Sequence, residues 1–332
     1  MSFQIVITTI QEPTSSLRKM AAEAGRHGAE LTVMGDRKGP ASFNLENARL
    51  FKIDQQKELP HSLATLLPEN HYSRKNLGYL EAVKGGAECI FETDDDNHPS
   101  ANWEPKTLIQ NAHVVRQKGW CNVYRYFSDE IIWPRGLPLE CIQQEIEDRT
   151  QLGTTEREFP IQQLLADGSP DVDAIWRLVL DCEISFKEAG AIALPGGTWC
   201  PFNSQATWWW PEAFYLMYLP SFCSFRMTDI WRSFVAQRCL WADDKSLLFH
   251  QAEMHQERND HNLMKDFSDE IDGYLNNAAI ATCLKRTALD PGDSAGNLLK
   301  CYKALVEGGF IPDSEIELVQ AWNRDLRAIA SI

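Results

Sequence analysis

Cys89-Ile90-Phe91-Glu92-Thr93-Asp94-Asp95-Asp96-Asn97-His98-Pro99 sets three adjacent carboxylates directly after an apolar run. Cys89, Ile90 and Phe91 read as a short buried strand, bounded by Gly85-Gly86 before it and Pro99 after it. The acids then fall where that strand leaves its sheet. In open α/β sheets, ligands collect at the carboxyl ends of the strands. Three neighbouring carboxylates also repel one another unless a cation stands among them. Two readings follow: a solvated acidic turn, since Asp and Asn are common turn residues, or the floor of a site for Mg²⁺ or Mn²⁺, hard ions that take oxygen ligands.

Upstream, Phe3 to Ile10 is a β-branched strand, followed by Leu17, Met20, Ala21 and Ala24 at helical spacing with Thr14 or Ser15 as N-cap. Glu30 to Asp36 is a second strand that ends in an acid, Leu50 to Asp54 a third, and Lys75 to Val83 a helix feeding the Asp-rich strand. The alternation predicts an α/β domain with a mostly parallel sheet and right-handed crossovers. Neither a G-x-G-x-x-G fingerprint nor a G-x-x-x-x-G-K-[ST] triphosphate loop accompanies it.

Downstream, a helix is expected near Leu108 to Gln117, then an aromatic strand from Asn122 to Phe127. Ile132-Trp133-Pro134-Arg135-Gly136-Leu137-Pro138-Leu139 must be loop, because its prolines and glycine rule out a regular helix or a central strand. It is either a binding segment or a structural turn with a solvated Arg. Asp171 or Asp173 caps a helix through Ala174 to Val179, and Ala191 to Leu194 ends a strand. Trp208, Trp209 and Trp210 form core or a sugar-stacking platform. Thr228 to Arg238 is helical with Asp229 near its N-terminus, where a carboxylate can simply satisfy the helix end. His250, His255 and His261 punctuate a stretch whose polar part, Glu253 to Asn262, reads as loop. The pattern is helical from Phe267 onward, which divides the chain into a 1–265 domain and a 266–332 helical C-terminal extension.

The 332 residues carry a formal net charge of −15, which argues against a nucleic-acid or anionic-membrane footprint. Nine cysteines without a C-x-x-C pair fit reduced thiols in a cytoplasmic protein. No run of about 18 apolar residues is present, so no membrane span is expected.

If the acids hold a metal, the ion would bridge two phosphates of a nucleotide and neutralise charge as a diphosphate departs. Glu12 and Asp36, beyond the first two strands, are placed to hydrogen-bond a base or ribose, and Arg74, Lys75 and Arg135 to meet the diphosphate or sugar. His255 would complete the metal shell, unless it is simply a solvated loop histidine. Asp229 is the leading carboxylate base for activating an acceptor hydroxyl.

The segments Tyr72-Ser73-Arg74-Lys75-Asn76-Leu77-Gly78-Tyr79-Leu80, Ile90 to Asp96, Ile132 to Leu139, Pro201-Phe202-Asn203-Ser204-Gln205, and Asp229-Ile230-Trp231-Arg232 with Gln237-Arg238 resemble, in order, the glycosyltransferase-like domain of the STELLO family. The resemblance runs from about residue 3 to about residue 265. It implies a GT-A fold, a Rossmann-like nucleotide-diphosphosugar transferase, whose D-x-D signature binds Mn²⁺ or Mg²⁺. Asp94 and Asp96 would bind the metal and Asp95 would contact the ribose or donor sugar. Thr8, Glu12 and Asp36 would contact the nucleoside, while Trp133, Arg135, Asn203 and the three tryptophans would shape the sugar and acceptor side. The implied reaction transfers a sugar from a nucleotide-diphosphate sugar, with a UDP-linked donor expected, to an acceptor that the resemblance leaves undefined. Plant members look like Golgi membrane proteins with an added N-terminal transmembrane region. This chain begins at its first strand, so a soluble, bacterial-type, cytoplasmic member is expected. The helical tail lies outside the match. Arg135-Gly136-Leu137-Pro138 is also similar to a short pattern of the reversibly glycosylated polypeptides, or UDP-arabinopyranose mutases, which raises a mutase or self-glycosylating alternative at Arg135. A non-catalytic scaffold that retains the fold is a further one.

Overall fold

The computed structural model describes residues 2–40, 42–257 and 262–331. Its strands are β1 (Phe3–Thr8), β2 (Glu30–Met34), β3 (Ala48–Phe51), β4 (Cys89–Thr93), β5 (Asn97–Pro99), β6 (Ile109–Val114), β7 (Gly119–Trp120), β8 (Gly153–Glu158), β9 (Ile161–Gly168), β10 (Ile192–Leu194), β11 (Thr198–Trp199), β12 (Ala206–Trp209) and β13 (Leu247–Gln256). The α-helices are α1 (Ser15–Arg26), α2 (Ile53–Lys57), α3 (Lys75–Lys84), α4 (Ala174–Val179), α5 (Thr228–Ala242), α6 (Leu263–Arg286), α7 (Ser294–Glu307) and α8 (Ser314–Ala330).

The main sheet runs β3-β2-β1-β4-β12-β9-β13-β10-β6-β8, with β5 paired to β13. Ile5, Val6 and Ile7 are buried on both faces of β1, as the continuous apolar run of a central parallel strand requires. β1 pairs in parallel with β2 and β4, and β2 with β3. The sheet is parallel only in this first part. β12 lies antiparallel between β4 and β9, which restores the direction of β4 to β9 and to its parallel neighbour β13. The α/β class and the helical C-terminal region expected from the sequence pattern are what the chain adopts.

Three local expectations give way. The helix expected near Leu108 to Gln117 is β6, which pairs with β8 from Ile109↔Glu158 to Val114↔Gly153. In so short a window, apolar residues fit both a helical and a strand period, and a distant partner decides. The aromatic strand expected from Asn122 is a single 3₁₀ turn, Val123–Tyr126, with Asn122 donating its amide to the Ile132 carbonyl at 2.8 Å. The loop expected from Glu253 is occupied as far as Gln256 by β13, so His250 and His255 are strand residues, while His261 lies outside the described residues.

The C-terminal helices share the main core: Leu284, Leu298, Tyr302, Val319 and Trp322 are buried in one apolar cluster with Leu77, Leu80 and Phe234. The Glu315 carboxylate on α8 accepts from the backbone N–H groups of Ser221 (3.0 Å) and Phe222 (2.8 Å) and from the Tyr218 hydroxyl. Among the described residues, no helix is long and apolar enough to cross a membrane.

Candidate active site

The carboxyl ends of β1, β2, β4 and β9 face one edge of the sheet, because all four strands run the same way. From β2 to β9 there are four strand steps, or roughly 19 Å at the usual inter-strand spacing. A cavity of about 390 Å³ follows this edge, from Thr8, Met34 and Asp36 at one end, past Asp94, Asp95 and Asp96, to Asp171 and Val172 at the other. An elongated ligand lying along it would cross the acidic triplet midway.

Each acid of the triplet has a different partner. Asp94 Oδ1 accepts from the Tyr72 hydroxyl (2.7 Å) and the Lys75 ammonium (3.1 Å). Lys75 is fully buried and also donates to the Thr93 carbonyl at 2.7 Å. It sits there because α3 lies close on β1: a Cβ at Gly78 would come within 2.6 Å of Val6 Cγ1. Asp95 Oδ2 accepts from Thr9, and its main-chain oxygen accepts from Thr14 (2.9 Å) and Ser16, so the N-terminal cap of α1 also fixes the turn. Asp96 Oδ2 accepts from the Gln256 amide at 3.1 Å, whereas its Oδ1 is buried without a hydrogen-bond partner among the described residues.

Burial, and then the Asp94 charge, push the Asp96 carboxyl up to about 7, and burial likewise raises Asp95 although Thr9 opposes it. A carboxylate held this way gains most from a cation, and the unpartnered Asp96 oxygen is where one fits. Among the described residues, no three His, Cys, Asp or Glu side chains converge as a ligand set. The acids alone would therefore fill only part of an ion's shell, as suits Mg²⁺-type sites completed by water and phosphate.

The other expected site residues divide into three groups. Thr8, Asp36, Arg74, Arg135, Asn203 and Asp229 line the cavity. Lys75 lies beneath it, bound to Asp94. The rest do not line it: Glu12 is exposed, and Trp133 is buried with its indole N–H on Asp173 Oδ2 at 2.6 Å. His255 is exposed too, because the strand alternation that turns Gln256 into the cavity turns its neighbour away. Trp208, Trp209 and Trp210 are core rather than platform, with the Trp209 indole N–H on Glu92 Oε1 at 2.8 Å.

Arg135 is not solvated. Its Nη1 and Nη2 reach the two Asp229 oxygens at 3.0 and 2.9 Å, and its Nε and Nη2 reach Asp171 at 2.7 and 3.0 Å. Nη1 also donates to the Arg226 carbonyl. The loop turns through Gly136 at φ 91°, where a Cβ would lie 2.4 Å from Ile230 Cγ2. Burial would raise the Asp229 carboxyl, but the Arg135 guanidinium overrides it and holds the group near 2. So weak a base is poorly suited to take a proton from a hydroxyl. Asp229 instead braces Arg135 and accepts from the Ser204 N–H at 3.2 Å.

Sequence reasoning missed Thr9, Tyr72, Asp171 and Gln256. Tyr72 was named only as part of a family-like segment and Asp171 only as a candidate helix cap, whereas Gln256 could be found only by knowing the strand register.

A family model described as STELLO glycosyltransferases matches residues 226–331. Two curated relatives from Arabidopsis thaliana, the probable glycosyltransferases STELLO2 and STELLO1, are 27% and 26% identical over 97% and 98% of this chain. The chain spans 44% of the length of each. The similarity therefore continues through the helical tail that had been placed outside the match. Solved structures of glucosyl-3-phosphoglycerate synthase from Mycobacterium tuberculosis are also similar. One, in complex with Mn²⁺, UDP-glucose and phosphoglyceric acid, has 11% identity and a TM-score of 0.39 over 84% of this chain and 80% of that chain. Another, with Mg²⁺ and UDP, has 10% identity and a TM-score of 0.37 over 84% and 79%.

Proposed function

From a similarity to the STELLO glycosyltransferases that runs along nearly the whole chain, we propose that this protein is a metal-dependent glycosyltransferase of GT-A type. It takes a sugar from a nucleotide diphosphate, most simply UDP, and passes it to a hydroxyl acceptor in the cytoplasm. The observation that carries the reading is the Asp96 oxygen, buried and without a partner among the described residues, in the floor of an elongated cavity. Asp96 would hold Mn²⁺ or Mg²⁺, with Asp94 and Asp95 beside it. When bound, the ion neutralises charge on the departing diphosphate.

The chain's own residues do the positioning. Lys75 and Tyr72 fix Asp94, so that only part of the triplet's charge remains to attract a cation. The nucleoside belongs at the end formed by Thr8 and Asp36, and the sugar and acceptor toward Asp171 and Val172. Arg135, with Asp171 and Asp229, braces that far end. The mutase or self-glycosylating alternative draws no support from Arg135, whose guanidinium is buried and fully engaged.

A thermal-shift panel of nucleotide sugars with and without Mn²⁺ tests the reading. A ligand at 100 times its Kd should stabilise by about 2.7 kcal/mol. Asp96→Asn should abolish the metal-dependent part of the shift and leave the melting transition cooperative. If no nucleotide sugar shifts the protein with Mn²⁺ present, the scaffold reading replaces this one.

A further inference from the structure

Helix α6 is buried on one side only. Gly273, Asn277, Ile280, Ala281 and Leu284 face the core, while Met264, Ile271 and Leu275 on the other side are 63%, 40% and 73% exposed. These three and Thr282 fall within about 40° of one another around the helix axis, so they form one stripe along its length. Helix α4 packs beside it, with the Ala174 N–H on Glu270 Oε2 at 2.7 Å, and leaves Leu178, Val179 and Leu180 exposed at its end. Six of the eleven large apolar side chains exposed among the described residues thus lie on α6 or at the end of α4. Apolar surface gathered in this way marks an interaction site.

Beyond Leu275 the stripe gives way to a hollow. Ala279, Thr282 and Cys283 on α6, with Ala304 and Gly308 on α7, line an open groove of about 1020 Å³. Charge is divided along the same face. Asp272 lies toward the N-terminal end, whereas Arg286 and Lys303 line the groove, where Glu307 is the only acid. Lys265 is engaged by Asp269 at 2.7 Å and Lys300 by Asp290, but Asp272, Arg286 and Lys303 have no ion pair among the described residues. Asp272 and Arg286 stand fourteen residues apart, or roughly 21 Å along the axis and on nearly the same side of it. Ala279 is midway between them.

We propose that this face is a homodimer interface, in which the α6 helices of two copies of the chain pack antiparallel across a two-fold axis near Ala279. Leu275 of each copy then falls on the groove of the other, at Thr282 and Cys283, and Asp272 meets Arg286 at both ends. The small Ala279 side chain lets the helices approach at the axis. A two-fold contact needs both halves of each match on one surface. Here a projecting leucine and a groove, and an acid and a base, are set at equal distances about one point. An anionic membrane would instead meet Asp272 and a chain of net charge −15. The interface lies on the helical tail, away from the cavity, and does not depend on what the cavity binds.

Sedimentation velocity of the full chain over a range of concentrations tests the proposal. The mass should rise to twice 37.8 kDa and stop there. Leu275→Glu should weaken the dimer by about tenfold or more, because a central residue counts twice in a symmetric contact. Its melting should stay cooperative, since the side chain is exposed in the single chain. Asp272→Arg and Arg286→Asp should each weaken association, and the two together should restore it, because reversing both charges re-forms both pairs between copies. A chain that is still monomeric at about 100 μM, well above the Kd of standard-size interfaces, overturns the proposal. So does growth past two copies, a dimer indifferent to Leu275→Glu, or a double reversal no tighter than the single changes.

Discussion

Arg135 has two carboxylates and a carbonyl around one guanidinium, and a planar fork is the side chain that can serve all three. Arg135→Leu would strand Asp171 and Asp229 as buried, uncompensated charges, and breaking such a pair costs about 3–5 kcal/mol. Arg135→Lys should recover only part of this. Urea unfolding of the two variants checks the order, and a loss below about 1 kcal/mol for Leu would contradict the brace. His250 makes a second prediction. Burial, and then the Lys106 charge, push its imidazole down to about 3, and it is hydrogen-bonded to Gln162 Oε1 at 2.9 Å. Its folded pKa lies below the unfolded value near 6.5, so protonation favours the unfolded chain. The stability is present above about pH 6.5 and is lost as pH falls toward 3, with a slope of up to about 1.4 kcal/mol per pH unit. Between pH 7 and 5, wild type should lose more stability than His250→Gln, and equal losses would show that His250 is not buried neutral. At this scale the acids at 94 to 96 were legible because their chemistry is local. The exchange of His255 for Gln256 was not, because facing depends on register.

Helix α3 shows how an element places the site. Lys75 and Arg74 reach their partners only because Gly78, one turn along, lets the helix lie against β1. Gly78→Ala improves helix propensity by about 1 kcal/mol. It also puts a methyl 2.6 Å from Val6 Cγ1 and 3.0 Å from Met34 Cγ. Overpacking of this kind costs about 1–3 kcal/mol, and the helix must shift, carrying Lys75 away from Asp94. The expected outcome is a lower melting temperature together with weaker Mn²⁺-dependent nucleotide binding; unchanged binding in a destabilised variant would separate helix position from the site. β1, β2, β4, α1, α3 and α5 were readable because apolar period and caps such as Thr14 are written within a dozen residues. β6 was not, since its identity is set by β8, about forty-five residues further along the chain.

Over the whole molecule, the helical tail decides whether the α/β part can stand alone. A boundary near residue 265 follows from the change in sequence pattern, but the core does not stop there. Removing the helices after about residue 262 would strip Glu315 from the Ser221 and Phe222 N–H groups, and Asp325 from those of Ser62 and Leu63, which it holds at 2.8 and 2.9 Å. Trp231 would lose the Asn277 acceptor of its indole N–H at 2.9 Å. Each buried donor left unpaired costs about 1–3 kcal/mol. A few such losses, added to the apolar surface left bare, equal the 5–15 kcal/mol by which ordinary domains are stable. The truncated chain should therefore show no cooperative melting and should bind a hydrophobic dye. Glu315→Gln in the full chain, which removes charge but keeps shape, should melt lower and still cooperatively. Cooperative melting of the truncated chain at the wild-type temperature would mean that the tail is an appendage. Loss of folding would make the tail part of the site's foundation, because the segments it supports, from Tyr218 to Phe222, lead into α5 and Asp229 at the far end of the cavity.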